Sequence, residues 1–314
     1  MTWGKPGHDR EAVELQSIIA LRANLDRCAR EIDMYSHRIP AVAVFGSMLL
    51  ALLPSLSNVQ AQAGASRPRV IEVSSVAPEK NAQLSSLIAE IRSQTDAFVF
   101  LSGGASRMRE DHQQQLLGMF EALALIAKGG RRIAVGDGGT QAGIMEAAGR
   151  ARRASSYAFP LIGVAPAREI PPRGTTLVDP NHSHVIAVDN PSAPAKDSWG
   201  SETGTMYWLF AALAEGRPSV TIVANGGGIT LTEVESNVRA GRPIILIEGT
   251  GRAADALVSL LRKTPVSEPE LVSLKESAEK ARLTRRPELF TVVSLQRGAS
   301  GLRDAISSAL GSAR

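Results

Sequence analysis

From residue 69 to the end of the chain, short apolar runs rich in β-branched residues alternate with segments of helical periodicity. Continuously apolar runs predict strands buried on both faces, and their alternation with helices predicts a mostly parallel sheet with helices on each side. We therefore predict one α/β domain over residues 69–314. The predicted strands are residues 70–73, 97–101, 132–135, 161–164, 184–188, 220–224, 244–247 and 290–293. The predicted helices are residues 79–93, 110–128, 140–153, 202–215, 230–240, 252–262, 267–281 and 299–310.

Residues 1–68 depart from this pattern and are predicted to form a separate N-terminal helical extension. Apolar residues recur at helical spacing over residues 9–33, which predicts an amphipathic helix. Two interpretations of that helix stay open. It either packs on the body of the protein or mediates partner binding or self-association, and residues 9–58 as a whole are a candidate association segment.

The uncharged segment 39–66 is the most ambiguous part of this extension. Its apolar centre, residues 41–53, is shorter than the roughly 20 residues that a spanning helix needs. One interpretation is a docked helix followed by a linker, and another is membrane association through residues 39–58. A third is a signal peptide that starts at Met34 and is cleaved after Ala63.

Composition limits the classes of function. The net charge of +4 is modest for 314 residues and the basic residues are dispersed, so nucleic-acid binding is not favoured. A single cysteine, Cys28, excludes an internal disulfide framework and fits a cytoplasmic location. Five scattered histidines give no zinc-type ligand spacing, so no metal site is predicted.

Glycine-rich stretches follow four of the predicted strands. They are residues 102–106 (SGGAS), 136–143 (GDGGTQAG), 225–230 (NGGGIT) and 248–252 (EGTGR). Ligands of an open parallel sheet bind outside the carboxyl ends of its strands, and glycine lets backbone N–H groups approach a bulky anion. Each stretch also leads into a predicted helix, whose N-terminus favours negative charge. The four stretches together predict a site for a phosphate-bearing ligand.

None of these stretches is a P-loop, because the Gly-Lys-Ser/Thr ending is missing, and none is a dinucleotide-binding G-x-G-x-x-G motif. ATP hydrolysis and hydride transfer are therefore not indicated, and no cofactor is predicted. The candidate ligand-binding residues are Gly103, Gly104, Asp137, Gly138, Gly139, Thr140, Gln141, His182, Glu202, Gly226, Gly227, Gly228, Thr230, Glu233, Gly249, Thr250, Gly251 and Arg252.

Two of the glycine motifs, GDGGTQAGIMEAAG and NGGGITLTE, resemble those of the SLOG superfamily, which includes the Lonely-Guy phosphoribohydrolases and the DNA-processing Smf proteins. The series DPNHSHVIAVD, WGSE, VTIVANGGGITLTEV and IILIEGTGRAADAL is similar to the N-terminal nucleotide-sensing region of melastatin-type TRP channels and its prokaryotic relatives. The resemblance covers residues 69–314. It implies a Rossmann-like sheet that holds a nucleotide-derived ligand, such as ADP-ribose, at its glycine edge.

The resemblance leaves open whether the protein senses its ligand or hydrolyses it. Glu233 falls on the catalytic glutamate position of the Lonely-Guy motif, which implies cleavage of a nucleotide N-glycosidic bond. Ile229 replaces a glycine of that motif and Asn225 a proline, and that family's arginine motif has no clear match here. Glu233 is alternatively a ribose contact, or the partner of Thr230 in a capping box. A nucleotide-binding sensor is the leading hypothesis, a nucleotide N-glycosidase the second, and a DNA-handling protein the least supported.

The other polar candidates also keep two interpretations each. Asp137 contacts a ribose or stabilises its own turn, and Glu202 caps a helix or contacts the ligand. Of His182 and His184, which alternate in direction along a strand, one is expected to pack and the other to face the cleft. Arg252 is either an exposed charge or a phosphate ligand.

The segment that could move on binding is the proline-rich loop 165–183. The N-terminal helix and a homo-oligomer interface are the other elements that ligand binding could shift. The three aromatic residues Trp199, Tyr207 and Trp208 are expected to pack rather than to stack on a base.

Overall fold

A computed structural model describes residues 67–104 and 108–312. The predicted N-terminal helix and the uncharged segment lie outside these residues, so the predictions about them stay open. Within the described ranges, no helix combines the length and apolarity that crossing a bilayer requires.

The described chain forms an eight-stranded sheet in which every neighbouring pair of strands is parallel. The strands are β1 (Arg69–Ser74), β2 (Ala97–Gly103), β3 (Ile133–Asp137), β4 (Leu161–Pro166), β5 (His184–Asp189), β6 (Ser219–Ala224), β7 (Ile244–Glu248) and β8 (Phe290–Ser294). The predicted α/β Rossmann-like fold is thus confirmed, and all eight predicted strands are present.

The described helices are α1 (Ala82–Gln94), α2 (Glu110–Met119), α3 (Glu121–Lys128), α4 (Gly143–Ala154), α5 (Thr203–Ala214), α6 (Gly228–Ala240), α7 (Arg252–Arg262), α8 (Pro269–Lys280) and α9 (Gly298–Ser312). The helix predicted over residues 110–128 is in fact two helices, α2 and α3, which meet at Phe120. Phe120 is fully buried in the core on this side of the sheet.

The strand order is β1-β5-β4-β3-β2-β6-β7-β8. From β2 the chain builds the sheet outward through β3, β4 and β5, and it then returns to the other side of β2 to add β6, β7 and β8. The direction of winding therefore reverses between β2 and β6. Open α/β sheets bind their ligands at the carboxyl ends of the strands at such a reversal.

Side chains of successive strand residues enter opposite cores. On β2, Val99 and Leu101 pack with α2, α3, α4 and α9, whereas Phe98 and Phe100 pack with α1 and α5. The phenyl rings of Phe100 and Phe210 stack with their centroids 4.1 Å apart. A further cluster joins β6 and β7 to α6, α7 and α8. Both faces of the sheet are covered, which explains why its central strands are apolar throughout.

Candidate functional site

A cleft of about 540 Å³ opens at the carboxyl ends of β2, β3 and β6, where the winding reverses. Its volume lies within the range of small-molecule sites. The cleft is lined by Leu101, Gly103, Gly104, Gly138, Thr140, Ala142, Met145, Thr176, Trp199, Glu202, Met206, Gly227, Gly228, Ile229, Thr230, Glu233 and Arg252.

The loop after β6 supplies one wall of the cleft. Asn225 and Gly226 both have left-handed backbone angles, with φ of 54° and 90°, and they turn the chain directly into α6. The side chain of Asn225 accepts a hydrogen bond from the Gly226 N–H at 2.6 Å, which stabilises this turn. Gly227 and Gly228 then present the start of a 13-residue helix to the cleft. The N–H groups of a first helical turn have no intrahelical partners, so they favour an anion.

Helix α6 begins earlier than predicted, and this removes the predicted capping box. The helix starts at Gly228, and the hydroxyl of Thr230 accepts a hydrogen bond from the Gly227 N–H at 3.3 Å. Glu233 consequently lies in the second turn and has no capping role. The residue lines the cleft and is 8% exposed.

Glu233 is the buried acid of this wall. The hydroxyl of Ser102 on β2 donates a hydrogen bond to its carboxylate. Burial raises the pKa of Glu233 to about 7; the Ser102 hydrogen bond opposes this change, and the charge of Glu202 adds to it. A carboxyl group with such a pKa can hold or release a proton near neutral pH.

Glu202 is a second buried acid in the same cleft. It precedes α5, but its side chain makes no capping hydrogen bond, so the predicted capping role is wrong. The side chain is 5% exposed, and its Oε2 atom has no hydrogen-bond partner among the described residues. Burial raises the pKa of Glu202 to about 7, because hydrogen bonds from the backbone only partly offset the loss of solvent.

Arg252 is the cation of the cleft. Its Nε atom donates to Glu270 at 2.9 Å, and its side chain is 18% exposed. A Cβ atom added to Gly227 would lie 2.9 Å from the guanidinium, so the two groups approach each other closely. The Arg252 head group thus lies against the start of α6, where both features favour a phosphate.

The buried side chain of His182 contacts Asp137 at the end of β3, where the loop after β3 begins. Asp137 Oδ1 accepts the Gly139 N–H at 2.7 Å and lies 2.8 Å from His182 Nε2. The other ring nitrogen, Nδ1, lies 3.2 Å from Asp179. Asp137 therefore has the turn-stabilising role that was one of its two predicted interpretations, and it lies beneath the cleft rather than in its lining.

His182 is fully buried, and His184 is half-buried beside Ser183. Neither lines the cleft, so the expectation that one histidine faces it is wrong. Burial alone lowers the pKa of His182, but the carboxylates of Asp137 and Asp179 outweigh burial and raise the pKa to about 9. The three side chains form a charged cluster that ties the β3 loop to the segment before β5.

The loop after β7 supports the site from behind. Asn225 donates its backbone N–H to Thr250 Oγ1 at 2.8 Å and its side-chain amide to the Thr250 carbonyl at 3.1 Å. The N–H groups of Gly249 and Gly251 donate to Asp255 at 2.8 and 2.9 Å. These two donors, predicted to face a phosphate, are therefore already engaged by a carboxylate.

The structure brings ten of the predicted ligand-binding residues to the cleft: Gly103, Gly104, Gly138, Thr140, Glu202, Gly227, Gly228, Thr230, Glu233 and Arg252. It places the other eight outside the lining: Asp137, Gly139, Gln141, His182, Gly226, Gly249, Thr250 and Gly251. Gln141 is exposed beyond the Thr140–Val178 bridge. The remaining seven are buried or partly buried supports of the loops.

Several lining residues were not predicted as ligand contacts. Trp199 was expected to pack but lines the cleft, together with the apolar side chains of Met145 and Met206. Ser102 is outside the lining and contributes to the site through its hydrogen bond to Glu233. Of the long loop 165–183, only Thr176 reaches the cleft.

The family described as "SLOG in TRPM, prokaryote" matches residues 96–300, more than half of the chain. The chain belongs to this family. The SLOG match begins just before β2 and includes every residue that lines the cleft. The resemblance found in the glycine motifs is thereby confirmed.

Two mammalian channels are also similar to part of this chain. Both are the "Transient receptor potential cation channel subfamily M member 2", from Mus musculus and from Rattus norvegicus. Each is 31% identical over 103 residues, which are 30% of this chain and 7% of the channel. The chain thus corresponds to a small part of the length of these relatives.

Proposed function

We propose that the cleft binds a nucleotide-derived ligand, ADP-ribose or another NAD-related nucleotide, and that the protein senses it. The observation that carries the proposal is the meeting of the α6 N-terminus, at Gly227 and Gly228, with the Arg252 guanidinium in one cleft. Helix N-terminal N–H groups and an arginine fork are complementary to phosphate oxygens. The apolar side chains of Leu101, Met145 and Trp199 offer surface for a base or a sugar face.

Membership of a family related to the nucleotide-sensing region of melastatin-type channels supports the same ligand class. A sensor must bind its ligand more tightly in one state than in another. Loop 165–183, which touches the cleft through Thr176, is the candidate for the state change. The N-terminal extension and a homo-oligomer interface are the other candidates for transmitting it, and we place the protein in the cytoplasm, where such nucleotides occur.

A thermal-shift screen of the full chain against ADP-ribose, NAD, AMP and inorganic pyrophosphate tests this proposal. A ligand that binds only the folded state raises the unfolding midpoint by an amount that grows with the logarithm of its excess. We expect a concentration-dependent rise with at least one dinucleotide-type ligand and a smaller rise with pyrophosphate. No rise with any nucleotide at millimolar concentration would contradict the proposal.

A second candidate function, hydrolysis of a nucleotide N-glycosidic bond, is favoured by one observation. Glu233 is a buried carboxyl group in the cleft whose pKa is raised to about 7, as a general acid requires. Incubation with ADP-ribose, NAD and AMP, followed by chromatography for released base or ribose phosphate, separates the two functions. Turnover that Glu233→Gln abolishes would establish the hydrolase, and tight binding without product would establish the sensor.

A further inference from the structure

The cleft contains two acids where a purely phosphate-binding site would have none. Glu202 and Glu233 are both more than nine-tenths buried, and both line the cleft that contains Arg252. Burial and, to a smaller extent, the charge of Glu202 raise the pKa of Glu233. Carboxylates repel phosphate, so this part of the cleft must face a different group of the ligand.

The unpartnered polar atoms include one oxygen of Glu202 itself. In the part of the chain that the structure describes, four buried side-chain oxygens have no hydrogen-bond partner, and three of them belong to the consecutive residues Ser201, Glu202 and Thr203. An unsatisfied buried polar group costs free energy, and native structures retain one where a ligand or water completes it. In its ionised form the carboxylate of Glu202 only accepts hydrogen bonds, so the partner that this form lacks is a donor.

The chemistry of the cleft narrows the identity of that donor. It must belong to the same molecule as the phosphate, carry no negative charge, and present donors to two neighbouring carboxyl groups. The adjacent hydroxyls of a ribose meet these requirements, since each can donate one hydrogen bond to a carboxylate.

We propose, on the basis of the nucleotide-binding function above, that Glu202 and Glu233 bind the cis-diol of a ribose. The cleft then has two chemically distinct ends. The phosphate end is formed by Gly227, Gly228 and Arg252, and the diol end is formed by the two acids. Such a site distinguishes ribonucleotides from deoxyribonucleotides, which the phosphate end alone cannot do.

Calorimetric titration of the wild-type full chain with matched ligands tests the proposal. The ligands are ADP-ribose, its analogue lacking the 2′-hydroxyl of the adenosine ribose, and its analogue lacking the 2″-hydroxyl of the terminal ribose. A hydroxyl that donates to a charged acceptor contributes enough for its loss to weaken binding about 10- to 100-fold. We expect that loss with one of the two analogues, and the sensitive analogue identifies which ribose is bound.

Equal affinity for ADP-ribose and both analogues would overturn the diol assignment while leaving nucleotide binding intact. Absence of binding by ADP-ribose and by both analogues would overturn the proposed function as well. These measurements use the unmodified protein, so they do not depend on how well a variant folds.

A substitution at Glu202 then tests whether this acid causes the difference in affinity between ADP-ribose and the deoxy analogue. Glu202→Met keeps the length of the side chain but cannot accept a hydrogen bond from a hydroxyl. We expect its affinity for ADP-ribose to fall to that for the sensitive deoxy analogue, so that the ratio of the two affinities approaches one. Glu235→Met, on the half-exposed side of α6 where Glu235 pairs with Arg239, is the matched control and should keep the wild-type ratio. An unchanged ratio in Glu202→Met would contradict the assignment of Glu202.

Discussion

The hydroxyl of Ser102, near the end of β2, donates a hydrogen bond to the carboxylate of Glu233 on α6. This bond joins the two strand ends between which the winding of the sheet reverses, because α6 follows directly from β6. The bond holds the buried carboxylate of Glu233 in the wall of the cleft. It also lowers the pKa of Glu233, which burial raises.

Ser102→Ala should raise the pKa of Glu233 above about 7, because the lost hydrogen bond is the influence that lowers it. At pH 8, where Glu233 is largely ionised, the unpartnered carboxylate should reduce the free energy of unfolding by about 1–3 kcal/mol. Carboxyl NMR titration and urea unfolding measure the two effects. Ser86→Ala, on the exposed side of α1, is the control. An unchanged Glu233 titration would show that the bond is not formed in solution.

Glu202→Gln should stabilise the protein at alkaline pH. The pKa of Glu202 is about 7 in the folded state against 4.5 for the free group, so the folded protein retains a proton that the unfolded chain releases. Stability therefore falls as the pH rises from 4.5 to 7, and above that window the full cost of the buried charge is present. We expect a gain on the order of 1–3 kcal/mol at pH 8 and almost none at pH 5. Urea unfolding at both pH values measures this gain. A gain of the same size at both pH values would contradict this account.

His182→Asn should destabilise the protein by about 3–5 kcal/mol near pH 7, since it leaves Asp137 and Asp179 buried without their cation. The pKa of His182 is raised to about 9, so its stabilising effect is complete below pH 6.5 and is lost as the pH rises to about 9. Urea unfolding across this pH range should show a free energy of unfolding that falls with pH in the wild-type protein but not in the variant. His184 is half-buried and its ring contacts the hydroxyl of Ser183 rather than a carboxylate. His184→Asn should therefore cost less than about 1 kcal/mol. Equal effects of the two substitutions would exclude a special role for His182.

Arg252→Ala should weaken nucleotide binding about 10- to 100-fold, because a hydrogen bond to a charged phosphate is lost. Arg252→Lys should recover only part of this affinity, since an ammonium lacks the fork of the guanidinium. Calorimetric titration with ADP-ribose measures both variants. The control Arg239→Ala removes an exposed arginine on α6 that is paired with Glu235. Wild-type affinity in Arg252→Ala would place the phosphate elsewhere.

The sequence predicted the sheet well because its strands are buried on both faces and therefore read as continuous apolar runs. It also placed the glycine stretches after β2, β3 and β6 correctly at one edge, since the carboxyl ends of parallel strands share that edge. The start of α6 was misplaced by two residues, because Thr230 is a common capping residue whereas Gly227 and Gly228 read as loop.

The parts of the site that depend on long-range partners could not be predicted. Gly249 and Gly251 looked like free phosphate donors until the structure showed Asp255, in the next helix, accepting both N–H groups. The sequence contains one signal for this pairing, because Asp255 lies six residues after Gly249 and four residues after Gly251. The pairing of Ser102 with Glu233 spans 131 residues and has no local signature.

The most direct test of the account is a calorimetric titration of ADP-ribose into wild-type protein and Gly228→Ala. Gly228 lines the cleft, and a Cβ atom added to it meets no protein atom within 4 Å outside its own helix turn, so we expect the methyl group to leave the fold unchanged and to narrow the phosphate end of the cleft. Gly118→Ala, at a helical glycine that is equally open but lies outside the cleft lining, is the matched control. We predict that Gly228→Ala keeps the wild-type unfolding temperature and loses at least about tenfold in affinity, which corresponds to about 1.4 kcal/mol, while Gly118→Ala binds normally. Equal binding of ADP-ribose by all three proteins would contradict a phosphate site at the start of α6.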